Sequence, residues 1–224
     1  MRPVLKGNCP YDNNNSDIIF SEYGEARPHL ISRIGDYCSY CENQITNLAV
    51  EHVQPKNHNQ HLALSWSNFL LACINCNSIK GHEPIITTNY YWADLHNTYL
   101  LFDFHPQGVV TVKANLHPSV NRVLADNTFL LTGIGRYGTF ASEADRRWIK
   151  RSQAYGKAED SLLYYTNNGR PNDYILSITN TATATGFWSV WIKVFENEQP
   201  VKTALIQTFL GTFIQCETTD VNRH

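Results

Sequence analysis

The chain has 224 residues, 42% of them hydrophobic and 17% charged, which fits a soluble globular protein with a core of its own. Eighteen basic residues against 20 acidic ones leave a net charge of −2. That balance excludes a simple basic nucleic-acid binder, whose surface charge alone would hold a polyanion.

The first twenty residues lack an apolar run, so no secretory leader is expected. The stretch to about Glu22 is polar and Asn-rich and reads as an arm or loop. Pro28 suits the first turn of a short helix to about Ile34, and Gly35 would stop it. Residues 36–83 carry no long period and read as a small irregular module built around ligands. The apolar run at 69–74 is too short to span a membrane. Short apolar runs at 99–104 and 108–114 flank Pro106-Gln107-Gly108 and predict a hairpin. From about Ser142 the pattern is helical. Ser142-Glu143-Ala144-Asp145 resembles a capping box, and Ala144, Trp148, Tyr155, Ala158 and Leu162 recur at helical spacing. A break at 167–171 precedes two or three further helices, with interruptions expected near Gly186 and Pro200. Val201, Ala204, Leu205, Phe209 and Phe213 would line the last of them. Two regions follow, 1–135 and a helical 136–224.

Charge is uneven along the chain. Residues 1–135 hold 8 basic and 11 acidic residues, 136–157 hold 6 and 2, and 158–224 hold 4 and 7. Net positive charge therefore sits on one predicted helix and its approach. Arg146, Arg147, Lys150 and Arg151 would form either a solvated face or a contact for a partner or nucleic acid.

Four of the six cysteines fall in two Cys-x-x-Cys pairs, Cys38/Cys41 and Cys73/Cys76, with 31 residues between them. Each pair can occupy one edge of a tetrahedron around Zn²⁺, giving a closed structural site. The alternatives are buried free thiols or redox pairs, although neither pair sits in a clear βα context. Cys9 and Cys216 have no such partner and read as ordinary residues.

Between the pairs lie Glu51-His52 and Asn68, and Asn77 follows Cys76. A carboxylate can ligate Mg²⁺ or a similar hard cation, and an adjacent imidazole can take a proton from water near neutral pH. Asn77 can return to the same cation with its amide oxygen. Taken singly, each of these residues has an ordinary structural explanation. A Glu-His pair is commonly a solvated turn, and an Asn is commonly a cap. Lys56 and Lys80 read as surface lysines or phosphate contacts. His58, His61 and His82 read as bystanders, with His82 a reserve ligand.

Glu51-His52-x-x-Pro55, Asn68 and Cys73-x-x-Cys76-Asn77-x-x-Lys80 together resemble the HNH endonuclease family. The resemblance implies an α+β fold: a ββα-metal core with a four-cysteine zinc knuckle, followed here by a mostly α-helical C-terminal region. It implies His52 as general base, Glu51 and Asn77 as ligands of the catalytic Mg²⁺ or another divalent cation, and Asn68 as the residue fixing the loop that orients the base. Cys38, Cys41, Cys73 and Cys76 match the structural zinc ligands. Glu51 stands where Asp is commoner in the family, and Asn77 where His is commoner. More widely, the chain resembles the HNH nuclease subunits of Septu-type antiphage systems and of retron-associated ATPase–nuclease pairs. Met1-Arg2-Pro3-x-x-Lys6-Gly7, Glu42, Phe187-Trp188-Ser189-Val190, Leu205-Ile206, Phe209 and Gly211-Thr212 carry that likeness. It implies a cytoplasmic effector that cleaves DNA, or alternatively RNA, with no membrane association. Its expected partners are an ABC-type ATPase and, in a retron setting, an RNA/DNA hybrid. No Walker-type phosphate loop occurs here, so ATP hydrolysis would belong to the partner. The competing reading is a non-catalytic zinc module that bridges the ATPase and nucleic acid.

Overall fold

A computed structural model describes residues 1–141 and 143–213. Helix α1 (Ala26–Ile34) buries Ala26, Leu30 and Ile34 on one stripe and ends at Gly35, whose φ of 72° suits glycine. Strand β1 (Ala49–His52) pairs antiparallel with β2 (Phe69–Ala72), placing Glu51 opposite Leu70 and His52 opposite Phe69. All four β2 residues are buried. Helix α2 (Ile74–Lys80) follows β2 directly, with Cys73 as its N-cap and Gly81 at its end.

The expected hairpin forms as β3 (Phe102–Phe104) against β4 (Val110–Val112), an antiparallel pair. Its turn seats on the helical region. Arg151 Nη1 donates to the Gly108 carbonyl at 2.6 Å and Ser152 Oγ to that of Pro106 at 2.9 Å. Helix α3 (Arg122–Thr132) then covers α2. The remaining helices are α4 (Arg147–Asn167), α5 (Tyr174–Thr185), α6 (Trp188–Val194) and α7 (Gln199–Thr208). No helix among the described residues is long and apolar enough to cross a membrane.

Two apolar clusters form. The first joins β1, β2, α1, the knuckle and the β3–β4 hairpin, and it takes in Ala154, Phe187 and Val190 from the helical region. The second gathers Tyr165, Ile178, Trp188, Trp191, Phe195 and Leu205 among α4–α7.

Three expectations need correction: the start of α4, the end of α7 and the basic face. The polar N-terminal stretch is irregular, as its composition suggests, but its first residues are buried. Arg2 is 3% exposed and donates to the carbonyls of Leu210 and Ile34, while Val4 bridges Thr212. It remains irregular because its polar groups find partners outside any ladder. Helix α4 begins at Arg147, later than the capping pattern suggests, because Asp145 turns inward to bind the Arg147 guanidinium. Ser142 lies outside the described residues. The expected break near Pro200 falls at residues 195–198, between α6 and α7, and Pro200 itself sits in the first turn of α7, where its missing N–H costs nothing. Helix α7 ends at Thr208, so Phe209 is buried from the segment beyond it. Finally, Arg147 and Arg151 are 3% and 1% exposed, so the predicted basic face loses half its charges to the interior. Arg146 and Lys150 remain exposed. Cys216 lies outside the described residues.

Candidate active site

Glu51 and His52 end β1. Successive strand residues face opposite sides, so Glu51 turns inward against α2 while His52 turns toward Phe69 and the loop that follows β1. Both border one cleft of about 240 Å³, together with Tyr23, Lys56, Asn77 and His82. The structure thus brings Glu51, His52 and Asn77 to one place. His58 and His61 are exposed and lie outside that lining.

The His52 ring is held on three sides. Its Nε2 lies 2.9 Å from the Ala63 carbonyl. A carbonyl only accepts, so a neutral His52 carries its proton on Nε2 and leaves the Nδ1 lone pair free. The rings of Tyr23 and Phe69 meet it edge-on, at 5.1 and 5.3 Å between centroids. Burial pulls its pKa below the ordinary value. The Ala63 hydrogen bond opposes that pull, and the charges of Lys56 and Lys80 reinforce it.

Asn68 supports this arrangement from behind. It is 3% exposed, and its side chain accepts from Gln54 N at 2.7 Å and donates to the carbonyls of Gln54 (2.9 Å) and Leu62 (3.3 Å). Leu62 precedes Ala63, the residue whose carbonyl meets His52. One amide therefore ties the start of the 53–67 loop, at Gln54, and its middle, at Leu62, to the residue that precedes β2.

Glu51 is 3% exposed, and burial raises its pKa against the opposing charge of Lys80. Lys80 Nζ stands 2.7 Å from Glu51 Oε1, an ion pair without hydrogen-bond alignment, and donates to the His52 carbonyl at 2.9 Å. Lys80 is therefore a buried residue and not a surface lysine. Asn77 is half-buried, and its side-chain amide makes no hydrogen bond to a described residue. Glu51 and Asn77 offer two hard oxygen donors to the cleft, a set suited to Mg²⁺ or Mn²⁺. Tyr23 and the ion pair of Lys80 escaped the sequence reading. Nothing local to Tyr23 shows that it meets β1.

The four cysteine sulfurs lie within 4.8 Å of one another, all buried, with Cys41 and Cys73 at 3.7 Å. Sulfurs bound at about 2.3 Å to a tetrahedral Zn²⁺ stand about 3.8 Å apart, so the cluster fits that ion. Shared hydrogen bonds among the thiols, with Cys38 foremost, push the pKa of Cys41 up and pull that of Cys73 down. Arg147 Nη1 donates to Cys76 Sγ at 3.1 Å. Its Nε and Nη2 grip Asp145 at 2.8 and 2.7 Å, and Asp145 accepts from Asn75 inside the second knuckle at 3.2 Å. The first knuckle is fixed differently. Glu42, with φ of 67°, accepts from Ser189 N (2.7 Å) and Ser189 Oγ (2.6 Å) at the start of α6. Neither arrangement has a local sequence signal.

A hairpin and helix around an acid–histidine pair, braced by a four-thiol knuckle, now stand together. Residues 38–83 match the HNH endonuclease family. The matched segment of the HNH domain runs from the first zinc-knuckle cysteine to just past α2, and it contains Glu51, His52, Asn68 and Asn77. Among curated proteins, none matches the chain. Outside the HNH domain, the helical region reaches back to it through Arg147 and Ser189.

Proposed function

We propose that this chain is a metal-dependent nuclease in which His52 Nδ1 takes a proton from the attacking water. The observation that carries this reading is the His52 imidazole, fixed through Nε2 with Nδ1 free, beside two oxygen donors in one cleft. Glu51 and Asn77 hold the divalent ion, which supplies charge to polarise the scissile phosphate and offset the leaving oxygen. Asn68 keeps the 53–67 loop, and through it the imidazole, in register. The expected products carry a 5′ phosphate and a 3′ hydroxyl. Zn²⁺ on Cys38, Cys41, Cys73 and Cys76 is structural, because four protein ligands leave no open position.

DNA is the favoured substrate and RNA the alternative. The likeness of the chain's outer motifs to Septu-type and retron-associated subunits supports a cytoplasmic antiphage effector restrained by an ABC-type ATPase. In a retron setting an RNA/DNA hybrid joins the complex. The charge supports a need for such a partner. The chain is net −2, and two arginines of its basic segment are internal. Alone, it should bind nucleic acid weakly and with strong salt dependence.

The test is cleavage of DNA and RNA by the purified chain, with and without its ATPase partner, in Mg²⁺ or Mn²⁺. Cleavage should stop with a chelator and fall by at least about 10²-fold in His52→Ala. Cleavage that is undiminished in His52→Ala overturns the assignment. One observation favours the second reading, a non-catalytic zinc module: Lys80 already occupies an oxygen of Glu51. That reading predicts no second metal under any condition.

A further inference from the structure

A cation stands directly behind the cleft before any metal arrives. The Lys80 side chain is 1% exposed, and its ammonium is fixed between Glu51 Oε1 and the His52 carbonyl. Glu51 is itself 3% exposed, and a lone carboxylate buried so deeply is costly. Lys80 offsets that cost, so leaving its place would strand Glu51. It is a resident of the site.

This residence changes what a divalent ion meets. At the cleft and directly behind it, Glu51 carries one negative charge, Lys56 and the buried Lys80 each carry a positive one, and Asn77 is neutral. These groups sum to a net positive charge. Mg²⁺ and Mn²⁺ are held by anionic oxygens, commonly one or two carboxylates together with substrate phosphates. The single carboxylate here is already paired, so the missing negative charge has to come with the ligand. A nucleic-acid backbone carries it on every phosphate.

We propose that Lys80 makes divalent-metal binding at Glu51 and Asn77 conditional on nucleic acid, whose phosphate supplies the anionic oxygens that Lys80 withholds. The inference rests on the nuclease reading of the cleft. Lys80 is a positioning residue, acting on the metal through Glu51. Coupling between two ligands is reciprocal, so the metal tightens nucleic-acid binding by the same factor.

The experiment uses the full-length, zinc-loaded His52→Ala protein, so that no substrate is consumed. Mn²⁺ binding is followed by the electron paramagnetic resonance of the free ion, with and without a short DNA or RNA duplex, corrected for Mn²⁺ on the duplex alone. Duplex affinity is measured by fluorescence anisotropy with and without Mn²⁺ at constant ionic strength. Mn²⁺ should bind at least about tenfold more tightly with duplex present, and the duplex should respond equally. Adding Lys80→Met should tighten Mn²⁺ binding without duplex and shrink the coupling, while Lys80→Arg, which keeps the charge, should preserve it. Equal Mn²⁺ affinity with and without duplex overturns the proposal. So does a folded Lys80→Met protein with unchanged Mn²⁺ affinity. The duplex comparison needs no Lys80 variant, so a poorly folding Lys80→Met leaves the proposal open to refutation. Absence of Mn²⁺ from every state, Lys80→Met with duplex included, overturns both the proposal and the nuclease reading. Tight Mn²⁺ binding without coupling overturns the proposal alone.

Discussion

His52 separates two roles on one ring: Nε2 fixes the imidazole on Ala63, which leaves Nδ1 for the proposed proton transfer. Truncation to alanine should cost about 10²–10⁴-fold in cleavage, measured as kcat/KM on a defined oligonucleotide. Its lowered pKa sets the pH profile. The neutral base already dominates at the ordinary histidine value of about 6.5, so the acid limb of kcat/KM should fall below that pH. The same shift acts on stability. The contribution is full above the unfolded value and shrinks as pH falls toward the lowered folded one. Asn68→Ala should destabilise the fold by about 1–3 kcal/mol in urea unfolding, since it leaves buried partners unpaired. It should also slow cleavage by loosening the 53–67 loop. The residues of this site were legible in the sequence because Glu51, His52, Asn68 and Asn77 keep a fixed order relative to the cysteines. The burial of Lys80 was not, because a lysine side chain shows its partner only once β1 and α2 are in contact.

At the scale of elements, periodicity worked where the buried residues were apolar and failed where they were not. The 99–114 hairpin and α5 followed their patterns. Helix α3 went unread because its inner face is Ala125, Thr128 and Thr132, while Val123 and Leu130 point to solvent. Its threonine hydroxyls donate back to carbonyls within the helix: Thr128 to Leu124 at 2.8 Å, and Thr132 to Thr128 at 2.9 Å. Small hydroxylated residues thus pass as interior, and the apolar residues that pack inward, Leu124, Phe129 and Leu131, are interleaved with the exposed Val123 and Leu130, which blurs the stripe. The junction of α5 and α6 is a close backbone approach. Phe187 N donates to the Glu42 carbonyl at 2.9 Å, and a Cβ on Gly186 would sit 2.6 Å from that oxygen, at a φ of 74°. Gly186→Ala should therefore destabilise by more than about 1 kcal/mol. Thermal melts should show a Tm lower by at least about 2–4 °C.

For the whole molecule, the four-cysteine knuckle is where the HNH domain and the helical region meet. Arg147 brings positive charge to a cluster that four thiolates around one Zn²⁺ would leave net negative. The sequence reading put that arginine on the surface, because helical spacing alone does not say which face of α4 is inner. Removal of zinc by a strong chelator should lower Tm by at least about 10 °C, since metal binding supplies folding free energy. Arg147→Gln should lose zinc faster than the parent protein in a chromogenic chelator assay, with circular dichroism confirming the fold. Unchanged release would show that the contact with Cys76 contributes nothing to metal retention.

The contact between Arg147 and Cys76 spans 71 residues of chain. On the ribosome, Cys76 emerges well before the arginine that covers it. At about 5–20 residues per second, the nascent knuckle waits roughly 4–14 s for Arg147. The contact between Glu42 and Ser189 spans 147 residues and closes later still. During synthesis the thiols would therefore meet their metal before either seal is in place, and thiols not yet captured would stay open to oxidation. Zinc supply during translation, more than zinc affinity of the finished protein, would then set how much of this chain matures.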